Sequence, residues 1–218
     1  MFKIRSSSIG HIMAYPDKPE LPKGAETHLK NWAKSKLYGR SKEIGSKYLT
    51  KGNKVEEQAI DLLAEYMGEG FLFKNDQHFE DDHITGMPDV LRSDRVIEIK
   101  SPWDWATFPA FESKIPESNY WWQCQGYMAL TGKDFAQLCY VLCDTPEEQI
   151  YKEAKWKSYE LNCDVDDIIE QIEKSMTYGD IQLESRIKIF DIHRDEKAIE
   201  NIRRRVESCR VFLSELQF

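Results

Sequence analysis

The stretch Gly86-Met87-Pro88-Asp89-Val90-Leu91, the turn Arg92-Ser93-Asp94-Arg95 and the run Val96-Ile97-Glu98-Ile99-Lys100 decide how this chain is read. Ile84–Leu91 and Val96–Lys100 read as short strands, and the polar turn between them predicts a β-hairpin. Alternate side chains share a face of a strand, so Glu98 and Lys100 point one way while Ile97 and Ile99 enter the core. Two charged groups on the inner part of an apolar strand are costly unless partnered. The hairpin brings Asp89 beside Glu98. Neighbouring carboxylates repel, and a divalent cation that prefers oxygen ligands relieves the repulsion. Such a set suits phosphodiester cleavage. The cation polarises a phosphoryl oxygen and acidifies a bound water, while Lys100 orients that water or stabilises developing charge. The plain alternative is an exposed Glu–Lys pair, worth under about 1 kcal/mol.

Upstream, Gly52–Met67 is the clearest helix, ended by Gly68-Glu69-Gly70. At helical spacing Val55, Ala59, Ile60, Leu62, Leu63, Tyr66 and Met67 form one apolar arc. Glu56 falls inside that arc, whereas Glu57, Asp61 and Glu65 fall outside it. A glutamate on a buried face needs a partner, which is either a metal ion or a lysine such as Lys51 or Lys54. Downstream, a helix over Ser118–Thr131 stops at Gly132, and within it Gln123 and Tyr127 are four apart and share a face. Gln123 is placed to hold a water or contact a phosphate beside the cation.

The remaining elements are weaker. Ser6-Ser7-Ser8 caps a short helix, Ile9–Ala14. Tyr15–Gly24 is a loop, and His28–Tyr38 has weak helical periodicity. Phe71–Glu80, Ala136–Cys143 and Lys152–Leu161 read as strands, Ser101–Pro116 as an irregular aromatic stretch, and Val165–Thr177 and Asp195–Leu216 as helices. The aromatic cluster Trp103, Trp105, Phe108, Phe111, Trp121 and Trp122 is expected to be mostly core, with Trp103 the exception that stacks on unpaired bases. His78 and His83 are assigned to the surface. The element order points to an α/β fold with a central mixed β-sheet flanked by helices, forming one domain over 1–218. The motifs lie in about 4–145, and further strands and helices occupy about 146–218.

Composition sets outer limits. The 218 residues are enough for one sizeable core. No apolar run approaches the ~20 residues that cross a bilayer, and Met1–Gly10 lacks the apolar segment of a secretion signal. A cytoplasmic protein is therefore expected. The five cysteines show no CxxC pair and are expected to be buried thiols. The net charge of −8 is unevenly spread: residues 1–54 hold 12 Lys/Arg and 4 Asp/Glu, a net of +8, which leaves −16 on the rest. A basic N-terminal third can present a positive face to phosphates.

The four elements occur in the order Gly52-x-x-x-Glu56, Met87-Pro88-Asp89, Glu98-Ile99-Lys100 and Gln123-x-x-x-Tyr127. This set resembles the PD-(D/E)XK nuclease superfamily and, within it, the phage lambda-type exonucleases, also called YqaJ-like viral recombinases. The resemblance covers about residues 4–145 and implies a restriction-endonuclease-like core. It implies that Asp89, Glu98 and the carbonyl of Ile99 bind Mg²⁺ (two ions per site, with Mn²⁺ able to substitute). By the same likeness Glu56 completes the shell, Lys100 is the catalytic lysine and Gln123 sits at the scissile phosphate. Ser7 lies where the family places a serine on the 5′-terminal phosphate. Arg5 is the nearest basic residue to it, and Tyr127 counts with the substrate contacts. The implied activity is processive 5′→3′ digestion of linear double-stranded DNA in phage-type recombination. The implied assembly is a homo-oligomer such as a ring-shaped trimer, working with a single-strand annealing protein. Competing expectations are a structure-specific or restriction-like endonuclease, and a protein of this fold that only binds DNA or a partner.

Overall fold

The computed structural model describes residues 1–40 and 46–216. Strand β1, Ile4–Arg5, runs into a 3₁₀ turn, Ser6–His11. Helices α1, Lys23–Tyr38, and α2, Lys47–Tyr66, follow. Next come β2, Phe79–Glu80, β3, Ile84–Gly86, β4, Val90–Leu91, and β5, Val96–Lys100. Helix α3, Ser118–Thr131, leads to β6, Phe135–Val141, and then to α4, Glu147–Leu161. Helix α5, Ile169–Met176, β7, Ile187–His193, and α6, Glu196–Glu215, complete the described chain.

The central sheet is mixed, in the order β4-β5-β6-β7, with β5 and β6 parallel and the outer pairs antiparallel. Its two faces are covered by different helices. Val55, Ala59 and Leu63 of α2 pack on Val90, Ile97, Cys139 and Val141. Cys124, Tyr127 and Met128 of α3 pack on Val96, Leu138, Tyr140 and Phe190. The two-residue alternation of β5 therefore sends Ile97 toward α2 and Glu98 toward α3. Strand β6 is apolar on both faces because both are covered, as expected for a strand beside a parallel neighbour. A smaller sheet, β1-β3-β2, lies against the 3₁₀ turn and α3.

Several sequence expectations change. The strand Ile84–Leu91 is interrupted at Met87-Pro88-Asp89. Pro88 has no N–H for a ladder, so β3 joins the small sheet and β4 the central one. Asp89 thus occupies the break between two sheets. The segment Phe71–Glu80 keeps only a bridge from Lys74 to Val90 and the short β2. Lys152–Leu161 is not a strand but the body of α4. Ile150, Ala154 and Ser158 recur at helical spacing and are buried, and Glu147 and Glu148 suit the positive helix start. The segment Ile9–Ala14 gives way to the 3₁₀ turn, and the helix expected over Val165–Thr177 divides into a 3₁₀ turn, Val165–Asp167, and α5. Helix α2 begins before Gly52, because the Ser46 hydroxyl accepts from the Leu49 N–H. Strand β7 has no counterpart in the sequence reading. Helix α3 has the expected bounds and ends at Gly132, whose φ of 69° suits a residue without a Cβ.

Candidate active site

A cleft of about 620 Å³ opens where β5 ends. Its walls include Glu56 from α2, Asp89 from the break before β4, Glu98, Ile99 and Lys100 from β5, and Tyr120 from α3. The volume is in the range of small-ligand sites.

Glu98 is 3 % exposed. Its Oε1 accepts from Lys100 Nζ at 2.6 Å and from Gln123 Nε2 at 2.7 Å. Gln123 Oε1 accepts from the same ammonium at 3.2 Å, and its Nε2 donates to Tyr127 Oη at 3.0 Å. The three polar groups thus form a closed set, with Tyr127 supporting it from behind. The other oxygen, Glu98 Oε2, is buried with no hydrogen-bond partner. An unpartnered buried carboxylate oxygen carries an uncompensated desolvation cost.

Asp89 Oδ2 accepts the Ile99 N–H at 2.7 Å, which ties the break to β5. Burial, and then the charge of Glu98, hold the Asp89 carboxyl well above the ordinary carboxylate range. The Ile99 N–H and Lys100 offset only part of this. For Lys100, burial alone would pull the ammonium down. The charge and hydrogen bond of Glu98, with help from Asp89, instead hold it above its ordinary value. The Tyr120 ring lies 4.4 Å from Lys100 Nζ, a cation–π contact that braces the ammonium.

These features fit a divalent cation. Two crowded carboxylates, one with an orphaned buried oxygen, form an all-oxygen donor set of the kind that hard cations select. A cation between Asp89 and Glu98 would satisfy the orphan and remove the repulsion. Glu56 is turned elsewhere: its Oε2 accepts from Lys74 Nζ at 2.6 Å. Accordingly, among the described residues no three His, Cys, Asp or Glu side chains are gathered as one ligand set.

The structure brings Glu56, Asp89, Glu98, Ile99, Lys100 and Gln123 into one neighbourhood, with Glu56 held by a lysine other than Lys51 or Lys54. Tyr127 is 4 % exposed and lies behind Gln123, so it supports the set rather than reaching into the cleft. Trp103 is also corrected. It is 7 % exposed, packs with Ile150 and Met176, and carries Lys47 over its ring at 4.6 Å. It is a buried part of the cleft wall, whereas Trp105 and Phe111 are the exposed aromatics of that stretch. Arg5 and Ser7 are exposed on β1 and the 3₁₀ turn and are not part of the cleft wall, while the neighbouring Ser6 is buried. Four of the five cysteines are buried, and Cys163 is half-buried. The sequence reading missed Tyr120, although its position three residues before Gln123 puts it on the same helix face. It also missed Lys74, for which no local pattern gives a signal.

No family model and no curated protein matches the chain. Solved structures do. A phage-related exonuclease from Haemophilus somnus 129PT is 29 % identical with a TM-score of 0.83, and the match covers 98 % of this chain and 94 % of that one. An alkaline exonuclease from Laribacter hongkongensis is 16 % identical with a TM-score of 0.68, covering 97 % of this chain and 88 % of that one. The structure of that enzyme in complex with dAMP matches at 17 % identity over the same shares, with a TM-score of 0.66. The Laribacter matches show a shared fold; the Haemophilus match adds sequence likeness along nearly the whole chain. The chain shares its fold with phage-related and alkaline exonucleases, and this likeness, with the order of its motifs, is consistent with the exonuclease branch of the PD-(D/E)XK nuclease superfamily.

Proposed function

We propose that this chain is a Mg²⁺-dependent exonuclease that digests linear double-stranded DNA from the 5′ end, and that residues 1–218 act as one nuclease domain. The observation that carries the reading is the cluster of Asp89, Glu98, Lys100 and Gln123 at the cleft, with one buried carboxylate oxygen left for a ligand. The likeness to a phage-related exonuclease selects exonuclease over endonuclease and over a fold that only binds DNA. A 5′→3′ direction, processivity, an annealing partner, a ring-shaped homo-oligomer and a cytoplasmic setting belong to the same proposal and rest on the resemblance. No described helix is long and apolar enough to cross a membrane.

Asp89 and Glu98, with the carbonyl of Ile99 and with Glu56, would hold the cation. When bound, it supplies Lewis acidity at the phosphate and a more acidic water. The protein's own groups do the positioning. Glu98 and Gln123 fix the Lys100 ammonium from two sides, and Tyr120 braces a third. The ammonium is thereby kept protonated at the mouth of the cleft, where it attracts a phosphate oxygen and stabilises charge that develops there. Gln123 sits beneath this pair and keeps the carboxylate and the ammonium in register.

The test is digestion of linear and closed circular duplexes with Mg²⁺. Loss of linear DNA with the circle intact supports the reading, and cutting of the circle overturns it in favour of an endonuclease. Wild-type cleavage by Asp89→Asn and Lys100→Ala variants would show that the site lies elsewhere.

A further inference from the structure

Of the three carboxylates that the cation reading names, Glu56 alone is held by a lysine from outside the Asp89–Glu98–Lys100 set. Lys74 is brought to it by backbone rather than by chance of a long side chain. Lys74 forms an antiparallel bridge with Val90. The next residue, Asn75, donates its N–H to the Asp89 carbonyl at 2.8 Å and its side chain to the Pro88 carbonyl at 3.0 Å. The segment that carries Lys74 is therefore stitched to the segment that carries Asp89. The same ammonium also feels the charges of Glu57 and Asp89. The lysine is half-exposed, so it can leave without unpacking the core. A Glu56 oxygen bonded to an ammonium is blocked for a metal ion, and an ammonium and a divalent cation repel each other across so short a gap.

We propose that Lys74 is a displaceable counter-charge: it holds Glu56 while the cleft lacks a divalent cation, gives Glu56 up when one binds, and so sets how tightly the cation is held. This rests on the cation reading given under Proposed function and adds a role for Lys74 and a state for Glu56. A solvated surface ion pair with no such role would leave cation affinity unchanged when Lys74 is removed.

Calorimetric titration of the full chain with calcium chloride, without DNA, reads the effect apart from catalysis. Lys74→Met should bind Ca²⁺ about 3- to 10-fold more tightly than the wild type, since it removes both the competitor and a nearby positive charge. Lys74→Arg should stay within about 2-fold, because it restores the competing charge. In a Glu56→Gln background, which should itself bind more weakly, Lys74→Met should change affinity less than about 2-fold, because the carboxylate for which it competes is gone. Unchanged affinity in Lys74→Met overturns the proposal. So does equal tightening in the Glu56→Gln background, which would mean a long-range field rather than exchange at Glu56. Absence of saturable Ca²⁺ binding by the wild type overturns the cation reading itself, and this proposal with it. Wild-type binding that is insensitive to Lys74 overturns this proposal alone.

Discussion

Lys51 lets the energetics of the cleft wall be tested by pH. Its side chain is fully buried, and Nζ donates to the Trp103 carbonyl at 2.8 Å. The ring of Tyr178 lies 5.9 Å from it. Burial pushes the ammonium down to about 8 from the ordinary value of 10.5, against the opposing pull of Cys143, Asp104 and Asp144. The sign follows from proton counting. Below about pH 8 both the folded and the unfolded chain hold the proton, and the folded state bears the full cost of a buried charge. Between about 8 and 10.5 the folded state has released the proton and the unfolded chain still binds it, so stability rises with pH. Each pH unit of that gap is worth about 1.4 kcal/mol, which makes the whole effect ~3 kcal/mol. Lys51→Met removes this rise. At pH 7 the variant escapes the charge penalty but leaves the Trp103 carbonyl without its donor, a loss of about 1–3 kcal/mol. The two terms nearly cancel there. At pH 10.5 only the loss remains, and the variant is the less stable protein. Urea unfolding of both proteins across this range, at constant m-value, reads the difference. Buried groups remote from Lys51, such as the Cys209 thiol, titrate alike in both proteins and drop out of the comparison. Stability curves that run parallel from pH 7 to 10.5 would refute the reasoning.

Gly86→Ala should cost about 1–3 kcal/mol, because a Cβ there meets Ser6 Oγ at 2.6 Å and Tyr127 Cε1 at 2.8 Å, whereas Gly24→Ala, with nothing within 4 Å, should stabilise α1 by about 0.5 kcal/mol; thermal unfolding checks both. Gln123→Ala leaves Glu98 and Lys100 each short of a hydrogen bond and should lower kcat by about 10- to 100-fold, while Tyr127→Phe, which removes only the acceptor behind Gln123, should lower it by less than about 10-fold; single-turnover cleavage of a linear duplex separates them. If Arg5 and Ser7 form a 5′-phosphate contact, phosphorylated duplexes should be digested faster than hydroxyl-ended ones, and Arg5→Ala with Ser7→Ala should erase the difference; equal rates in the wild type exclude the contact.

The parts of the site that lay on one element were legible. Two-residue alternation put Glu98 and Lys100 together, helical spacing singled out Glu56 from Glu57, and Gly132 marked the end of α3. The hairpin also put Asp89 beside Glu98, but contacts between elements far apart in sequence were not legible. Trp103 carries no mark that α4 and α5 will cover it, because the covering residues, Ile150 and Met176, are far away in sequence. Lys74 meets Glu56 only because Asn75 is stitched to the Pro88–Asp89 backbone. The hairpin holds as β4 and β5 about the turn Arg92–Arg95, but its first strand stops at Pro88 for a local reason that the sequence did contain, since a proline between two strand-like runs cannot continue a ladder. Strand β7 was present as well, with Ile187, Phe190 and Ile192 buried, but its polar interruptions Lys188 and Asp191 weakened the pattern.

The way buried charge is handled across the molecule separates structural from functional groups. Arg205 gives its guanidinium to the carbonyls of Tyr15, Lys18 and Glu20, and Arg186 gives its own to those of Leu142 and Tyr178. Lys51 does the same with Trp103. Each of these cations is a staple whose donors meet backbone carbonyls outside the regular elements, and the stability of those loops accounts for it. Among the described residues Glu98 is the least exposed carboxylate residue, and it is handled differently. One oxygen carries two hydrogen bonds and the other carries none. A buried ionic set of this kind rarely improves on apolar residues of the same volume, and a half-satisfied one is worse. Between the apolar Ile97 and Ile99, an aliphatic residue at position 98 would extend the core formed by Val96 and Leu138 and would stabilise the sheet. Stability therefore does not explain Glu98. A ligand at its open oxygen would, and under the proposed function the crowding of Asp89 against Glu98 calls for one that is positively charged.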